Sequence, residues 1–170
     1  MVRAVNVGST GQLPMAEWRS IAEALGGSDV ATYLRSGNLV CTPPTDVPEF
    51  ERALERRVAD RFGFFREVVS RSSGELTEAL AAYPFESHEP KFAHIVFLTA
   101  EPTADAIASA RSIDAGDDEW AVRGRELFLR YARGAGTAHP GTTKAAKMLG
   151  VPGTARNLTT VQKLIDLATV

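Results

Sequence analysis

The sequence predicts an α+β fold built from two similar βαββα units, and three observations carry that prediction. Short apolar runs of strand character alternate with stripes of helical period along the chain. The order strand, helix, strand, strand, helix is met once before about residue 72 and starts again after residue 90. The 170 residues, 44% hydrophobic and 24% charged, suffice to bury roughly 70% of the unfolded surface in a core.

Each element has a local reason. Residues 2–8 run apolar at Val2, Val5 and Val7 and close at Gly8, which reads as a first strand entering the loop Gly8-Ser9-Thr10-Gly11-Gln12. A helix follows, with Pro14 in its first turn, Trp18, Ile21, Ala22 and Leu25 on one face, and Gly26-Gly27 as its stop. Residues 30–34 and 39–42 form a hairpin around Arg35-Ser36-Gly37-Asn38, where Gly37 and Asn38 tolerate positive φ. A second helix then carries Phe50, Leu54, Val58 and Phe62 at four-residue spacing and ends at Gly63, and residues 64–69 are a fourth strand. Ser72 and Glu75 have the spacing of a capping box, so a connecting helix over 73–82 is expected.

The pattern then restarts with a strand at 92–99, a helix at 103–113 and strands at 119–123 and 127–131. It breaks near the end. Residues 134–141 read as a loop and the remainder as two helices, one over 143–149 and one opened by a capping box at Thr159-Thr160-Val161-Gln162, which leaves the closing strand open. The expectation is a tandem of ferredoxin-like βαββα(β) units with antiparallel sheets and C-terminal helices: 1–72 the first unit, 73–90 a connecting helix and linker, 91–170 the second. In that topology the end of strand one and the hairpin emerge at one sheet edge, so Asn6-Val7-Gly8-Ser9 and Ser36-Gly37-Asn38 are expected to be neighbours.

Composition narrows the function classes. No apolar run reaches the roughly 18 residues of a membrane span, and the start of the chain reads directly as a strand rather than a signal segment. Cys41 is the single cysteine, which fits a reducing, cytoplasmic compartment. A net charge of -2 argues against coating nucleic acid by bulk electrostatics. The acidic turn at Asp114, Asp117, Asp118 and Glu119 reads as solvated, and the sequence names no catalytic base.

The chemical motifs are of uneven quality. The first loop lacks the leading glycine of a dinucleotide fingerprint, and Gly141-Thr142-Thr143-Lys144 reverses the order of a phosphate-binding P-loop. His88, His94 and His139 show no metal-ligand spacing, and His94 reads as a packed strand histidine. Lys144 and Lys147 fall in the first turns of the expected short helix, where cations oppose the dipole and an anion would relieve them. The sharpest cluster is Thr154-Ala155-Arg156-Asn157 ahead of the last helix, where a guanidinium fork suits phosphate or carboxylate.

Arg3-Ala4-Val5-Asn6-Val7-Gly8, Thr32-Tyr33-Leu34-Arg35-Ser36-Gly37-Asn38 and Gly153-Thr154-Ala155-Arg156-Asn157, with Arg71-Ser72 and Tyr83-Pro84-Phe85 between them, resemble the domain of unknown function 1697 family of bacterial proteins. The resemblance spans essentially the whole chain. It implies a fold of tandem ferredoxin-like α/β units and no reaction, and it carries over Arg3, Asn6, Gly8, Ser36, Gly37, Asn38, Thr154, Arg156 and Asn157 as recurrent polar positions. Ala4 and Ser9 stand where the family has glycine, and Leu158 where it commonly has tryptophan.

The leading expectation is a protein that binds a small anionic, phosphate-bearing ligand, a nucleotide among the candidates. Arg3 and Arg156 supply charge, Asn6, Asn38 and Asn157 directional hydrogen bonds, Gly8 and Gly37 close backbone approach, and Ser36, Lys144 and Thr154 further contacts. A metal-independent enzyme acting on a phosphorylated substrate, a nucleic-acid binder and a purely structural role for the same residues stay open. The sequence names no cofactor and sets no oligomeric state.

Overall fold

The computed structural model describes residues 1–7, 11–86 and 89–169. The chain is α+β, with helices α1 (Met15–Ala24), α2 (Val47–Phe62), α3 (Ser73–Ala81), α4 (Ala104–Arg111), α5 (Pro140–Met148) and α6 (Leu158–Ala168). Its strands are β1 (Ser28–Tyr33), β2 (Asn38–Thr42), β3 (Ala93–Leu98), β4 (Glu119–Arg123), β5 (Glu126–Arg130) and β6 (Gly153–Asn157). Two compact units result: Met1–Ser73 with Leu164–Val170, and Gly74–Lys163.

In the first unit β1 and β2 pair as an antiparallel hairpin, Tyr33 opposite Asn38 and Ala31 opposite Val40. Asp46 caps α2 by accepting from the Glu49 N–H, and Gly63 closes it at φ 72°. The faces expected of α1 and α2 are buried: Trp18, Ile21 and Ala22 meet Phe50, Leu54 and Val58 in a core shared with Val2, Val5, Leu13 and Val68. Each large apolar side chain buried there contributes about 1.5–3 kcal/mol.

Two expected strands in this unit shrink to one bridge. Among the described residues, 2–7 and 64–69 touch as an isolated antiparallel bridge between Val2 and Val68. The cause lies in the backbone, because Ala4 and Asn6 take φ values of 47° and 57°, a conformation that breaks extended pairing. On the other segment, Glu55 and Glu51 of α2 accept from the N–H groups of Val68 and Ser70 at 2.9 and 2.7 Å, filling positions a neighbouring strand would take. The hairpin also departs from expectation: positive φ falls at Leu34 and Gly37, while Asn38 opens β2.

The second unit has the strand order β4-β5-β3-β6, antiparallel throughout. Leu98, Leu127 and Leu129 pack on one face of this sheet with Ala110 of α4 and Ala145 and Leu149 beside them. The closing strand left open by the sequence is present as β6, which the motif Gly153-Thr154-Ala155-Arg156-Asn157 itself forms against β3. Its apolar signal is hidden because the two inward positions are Thr154 and Arg156. Helix α6 is capped by Asn157, whose Oδ1 accepts from the Thr160 N–H at 2.8 Å, and not by a box beginning at Thr159. A matched tandem of ferredoxin-like units does not follow from these strands, since among the described residues the paired strands of the first unit are the β1–β2 hairpin, with isolated bridge residues beside it. Among the described residues no helix is long and apolar enough to cross a membrane.

Candidate functional site

The polar motifs fall in both units, and each group is described by itself. In the first unit the strand-one loop and the hairpin are neighbours. The Val2 N–H donates to the Gly37 carbonyl at 3.0 Å, and the Asn6 amide donates to the Arg35 carbonyl at 2.7 Å and the Leu13 carbonyl at 2.8 Å. Asn6 Oδ1 also accepts from the Leu13 N–H at 2.8 Å. A single side chain thus ties residue 6 to two distant segments, which explains how a non-glycine is held at positive φ.

Gly37 is where the two segments meet. At φ 79°, a β-carbon there would stand 2.3 Å from Val2 Cγ1 and 2.7 Å from Val5 Cγ2, so only glycine allows the contact. Asn38 is fully buried and donates to the Tyr33 carbonyl at 2.9 Å and to Ser36 Oγ at 3.1 Å, closing the hairpin from within. Arg3 pairs with Glu67 at 3.2 Å. Gly8 lies outside the described residues.

In the second unit Thr154, Arg156 and Asn157 are brought together on β6. Arg156 opposes Ile95 and Thr154 opposes Phe97 across the β3–β6 ladder, and both β3 side chains are completely buried. Directly opposite residues share a sheet face, so the guanidinium enters an apolar layer. Arg156 is only 7% exposed, and its Nη1 donates to Thr154 Oγ1 and to the Ala155 carbonyl, both at 2.7 Å. Burial pushes its pKa down to about 10, because a low-dielectric layer disfavours the charged form. Helix α6 begins immediately after Asn157 and has no acidic residue in its first turn, so the positive end of its dipole lies next in sequence to this cation.

Lys144 is not drawn into that arrangement. Helix α5 starts at Pro140 rather than at residue 143, which places Lys144 exposed in the middle of the helix and Lys147 in its last turn. The conflict with the dipole expected from the sequence disappears, since a cation in the last turn is favoured.

A second polar centre in this unit was not legible as such. Asp118, expected in a solvated turn, is 8% exposed and accepts from the Ala132 N–H at 2.9 Å, the His139 N–H at 2.8 Å and the Thr142 hydroxyl at 2.8 Å. Burial alone would raise its pKa, but these three donors and the nearby His139 reverse the effect and hold it below the ordinary aspartate value. The available signal was His139-Pro140, a helix start with proline in the first position. His139 does cap α5, its Nδ1 accepting from the Gly141 N–H at 3.2 Å.

Two further groups are shaped by burial. His94 on β3 lies edge-on to Tyr131, ring centres 5.2 Å apart. Its buried Nδ1 has no hydrogen-bond partner among the described residues, and burial lowers its pKa, with the Phe92 backbone opposing. The Tyr83 hydroxyl donates to the Leu129 carbonyl at 2.9 Å, and burial pushes its pKa up to about 12. Among the described residues no group of three or more His, Cys, Asp or Glu side chains is placed to hold a metal ion.

Comparison with known proteins adds fold and kinship. A solved structure, that of the conserved bacterial protein SP0830 from Streptococcus pneumoniae, is similar over 99% of this chain and 96% of its own, with 24% identity and a TM-score of 0.77. At that identity the likeness concerns the fold. Nothing among the curated proteins matches. The family described as protein of unknown function (DUF1697) matches residues 1–128, more than half of the chain, and the protein belongs to that family.

Proposed function

We propose that the protein binds a small anionic ligand, phosphate-bearing or carboxylate, through Arg156. One observation carries the reading: a guanidinium 7% exposed, facing an apolar layer of β3, whose surroundings taken together disfavour its charge and set its pKa at about 10. An anion at this buried guanidinium is attracted strongly because the dielectric is low. Thr154 orients the fork through its hydroxyl, and the uncompensated first turn of α6 favours negative charge nearby. Asn157 acts by capping that helix. Asn6, engaged with the Leu13 backbone and the Arg35 carbonyl of the hairpin, and Asn38, engaged with the backbone of its own turn, act by holding shape.

The test is a thermal-shift screen of wild type and Arg156→Leu against inorganic phosphate, pyrophosphate, nucleotides, sugar phosphates and dicarboxylates. A ligand bound to the native state raises the melting temperature in proportion to the logarithm of its concentration. The reading expects a saturable rise in wild type that is absent in the variant. An equal rise in both would remove Arg156 from the site, and no rise with any of these anions would remove the proposal.

A further inference from the structure

One end of the first unit presents residues whose type nothing among the described residues explains. Among the described residues four non-glycine positions have positive φ, and three of them, Ala4, Asn6 and Leu34, occur in segments brought together here by the bond from the Asn6 amide to the Arg35 carbonyl. Asn6 has its hydrogen bonds as a reason. Leu34 has none, since φ of 59° is a conformation that a β-carbon disfavours and its side chain is 53% exposed. A glycine or asparagine would serve that turn better. Val7, next to Asn6, is 69% exposed, and Phe65, 56% exposed, precedes Arg66, whose Nε donates to the Ala4 carbonyl at 3.4 Å.

We propose that this end of the first unit is a docking surface for an acidic segment of a partner protein that carries apolar side chains. Leu34 and Val7 are the apolar anchors, and Phe65 extends them. Arg35 is exposed and makes no ion pair among the described residues, while the nearby carboxylate of Glu67 is already taken by Arg3. The charge left for a partner is therefore positive, which selects an acidic one. A protein fits better than a nucleic acid because the two leading anchors are aliphatic and offer no ring for base stacking.

The experiment is a peptide-phage selection on the whole chain, followed by fluorescence polarisation of the enriched peptides with wild type, Leu34→Gly and Arg35→Glu. Enriched peptides combine Asp or Glu with Leu, Ile or Phe. Leu34→Gly removes an anchor and relaxes the backbone, so it melts at or above the wild-type temperature while its affinity falls about tenfold or more. Arg35→Glu weakens binding and its salt dependence together. The proposal is overturned if selection enriches no acidic, apolar sequences, or if the peptides bind Leu34→Gly as well as wild type. It is equally overturned if only an oligo-dT strand or anionic vesicles bind this surface.

Discussion

Replacing Arg156 by leucine separates a residue kept for a ligand from one kept for the fold. Each pH unit of displacement corresponds to about 1.4 kcal/mol, so the fall from the ordinary arginine range to about 10 measures roughly 3 kcal/mol of charge desolvation. Leucine removes that penalty and suits the layer of Ile95 and Phe97. Against it stand the hydrogen bonds from Nη1 to Thr154 Oγ1 and to the Ala155 carbonyl, whose loss costs at least about 1 kcal/mol each. The balance is a gain of at most about 1 kcal/mol, or roughly 2–4 °C in melting temperature for a chain of this size. Urea denaturation followed by circular dichroism, in buffer free of phosphate and carboxylates, measures it. A loss of about 2 kcal/mol or more would refute the reasoning, because it would mean that Arg156 holds the second unit together and that its environment favours the charge.

Three further outcomes follow from the same structure. Gly37→Ala places a methyl group 2.3 Å from Val2 Cγ1 at φ 79°, and a loss of about 3 kcal/mol or more in the same denaturation assay is expected. Ala4→Gly relieves φ of 47° and is expected to add about 1 kcal/mol, so a loss of stability would count against strain at that position. The folded-state pKa of His94 is lowered by burial, so the unfolded chain takes up its proton first. Stability is then complete above the ordinary histidine value of about 6.5 and declines as pH falls through that value toward the folded one. Denaturation at a series of pH values with His94→Phe should flatten this acid slope, and an unchanged slope would assign it to other groups.

The helices were legible because their signals are local. Trp18, Ile21 and Ala22 in α1 and Phe50, Leu54 and Val58 in α2 recur at helical period and are buried, and Gly63 ends α2 as its position suggested. The neighbourhood of the strand-one loop and the hairpin was also legible, and the Val2–Gly37 and Asn6–Arg35 bonds join them. The extent of pairing was not. Residues 2–7 look like a strand by apolar spacing, yet the positive φ at Ala4 and Asn6 depends on bonds to Leu13 and Arg35 that no local window contains.

The same limit hid β6 and the role of Asp118. A strand whose inward residues are Thr154 and Arg156 has no apolar alternation to read. An aspartate in a glycine-containing turn reads as solvated until His139 and Thr142, more than 20 residues away, supply its donors. Three of the polar positions singled out by the sequence bond to backbone groups, Asn38 and Asn157 within their own turns and Asn6 to Leu13 and to Arg35 of the hairpin. That local use is invisible to residue type alone, because an amide suited to a ligand is equally suited to a turn.

The central claim is that Arg156 is a contact for an anion, and the most direct measurement is the side-chain NMR signal of that residue. Its Nε–H resonance, assigned by its loss in Arg156→Leu, is followed while inorganic phosphate, pyrophosphate and then the strongest ligand of the thermal-shift screen are titrated into wild type. The account expects a saturable displacement of the Arg156 signal at ligand concentrations that leave the signals of exposed Arg35 and Arg19 in place. Displacement of the exposed arginines alone, with Arg156 unmoved at saturation, would contradict it.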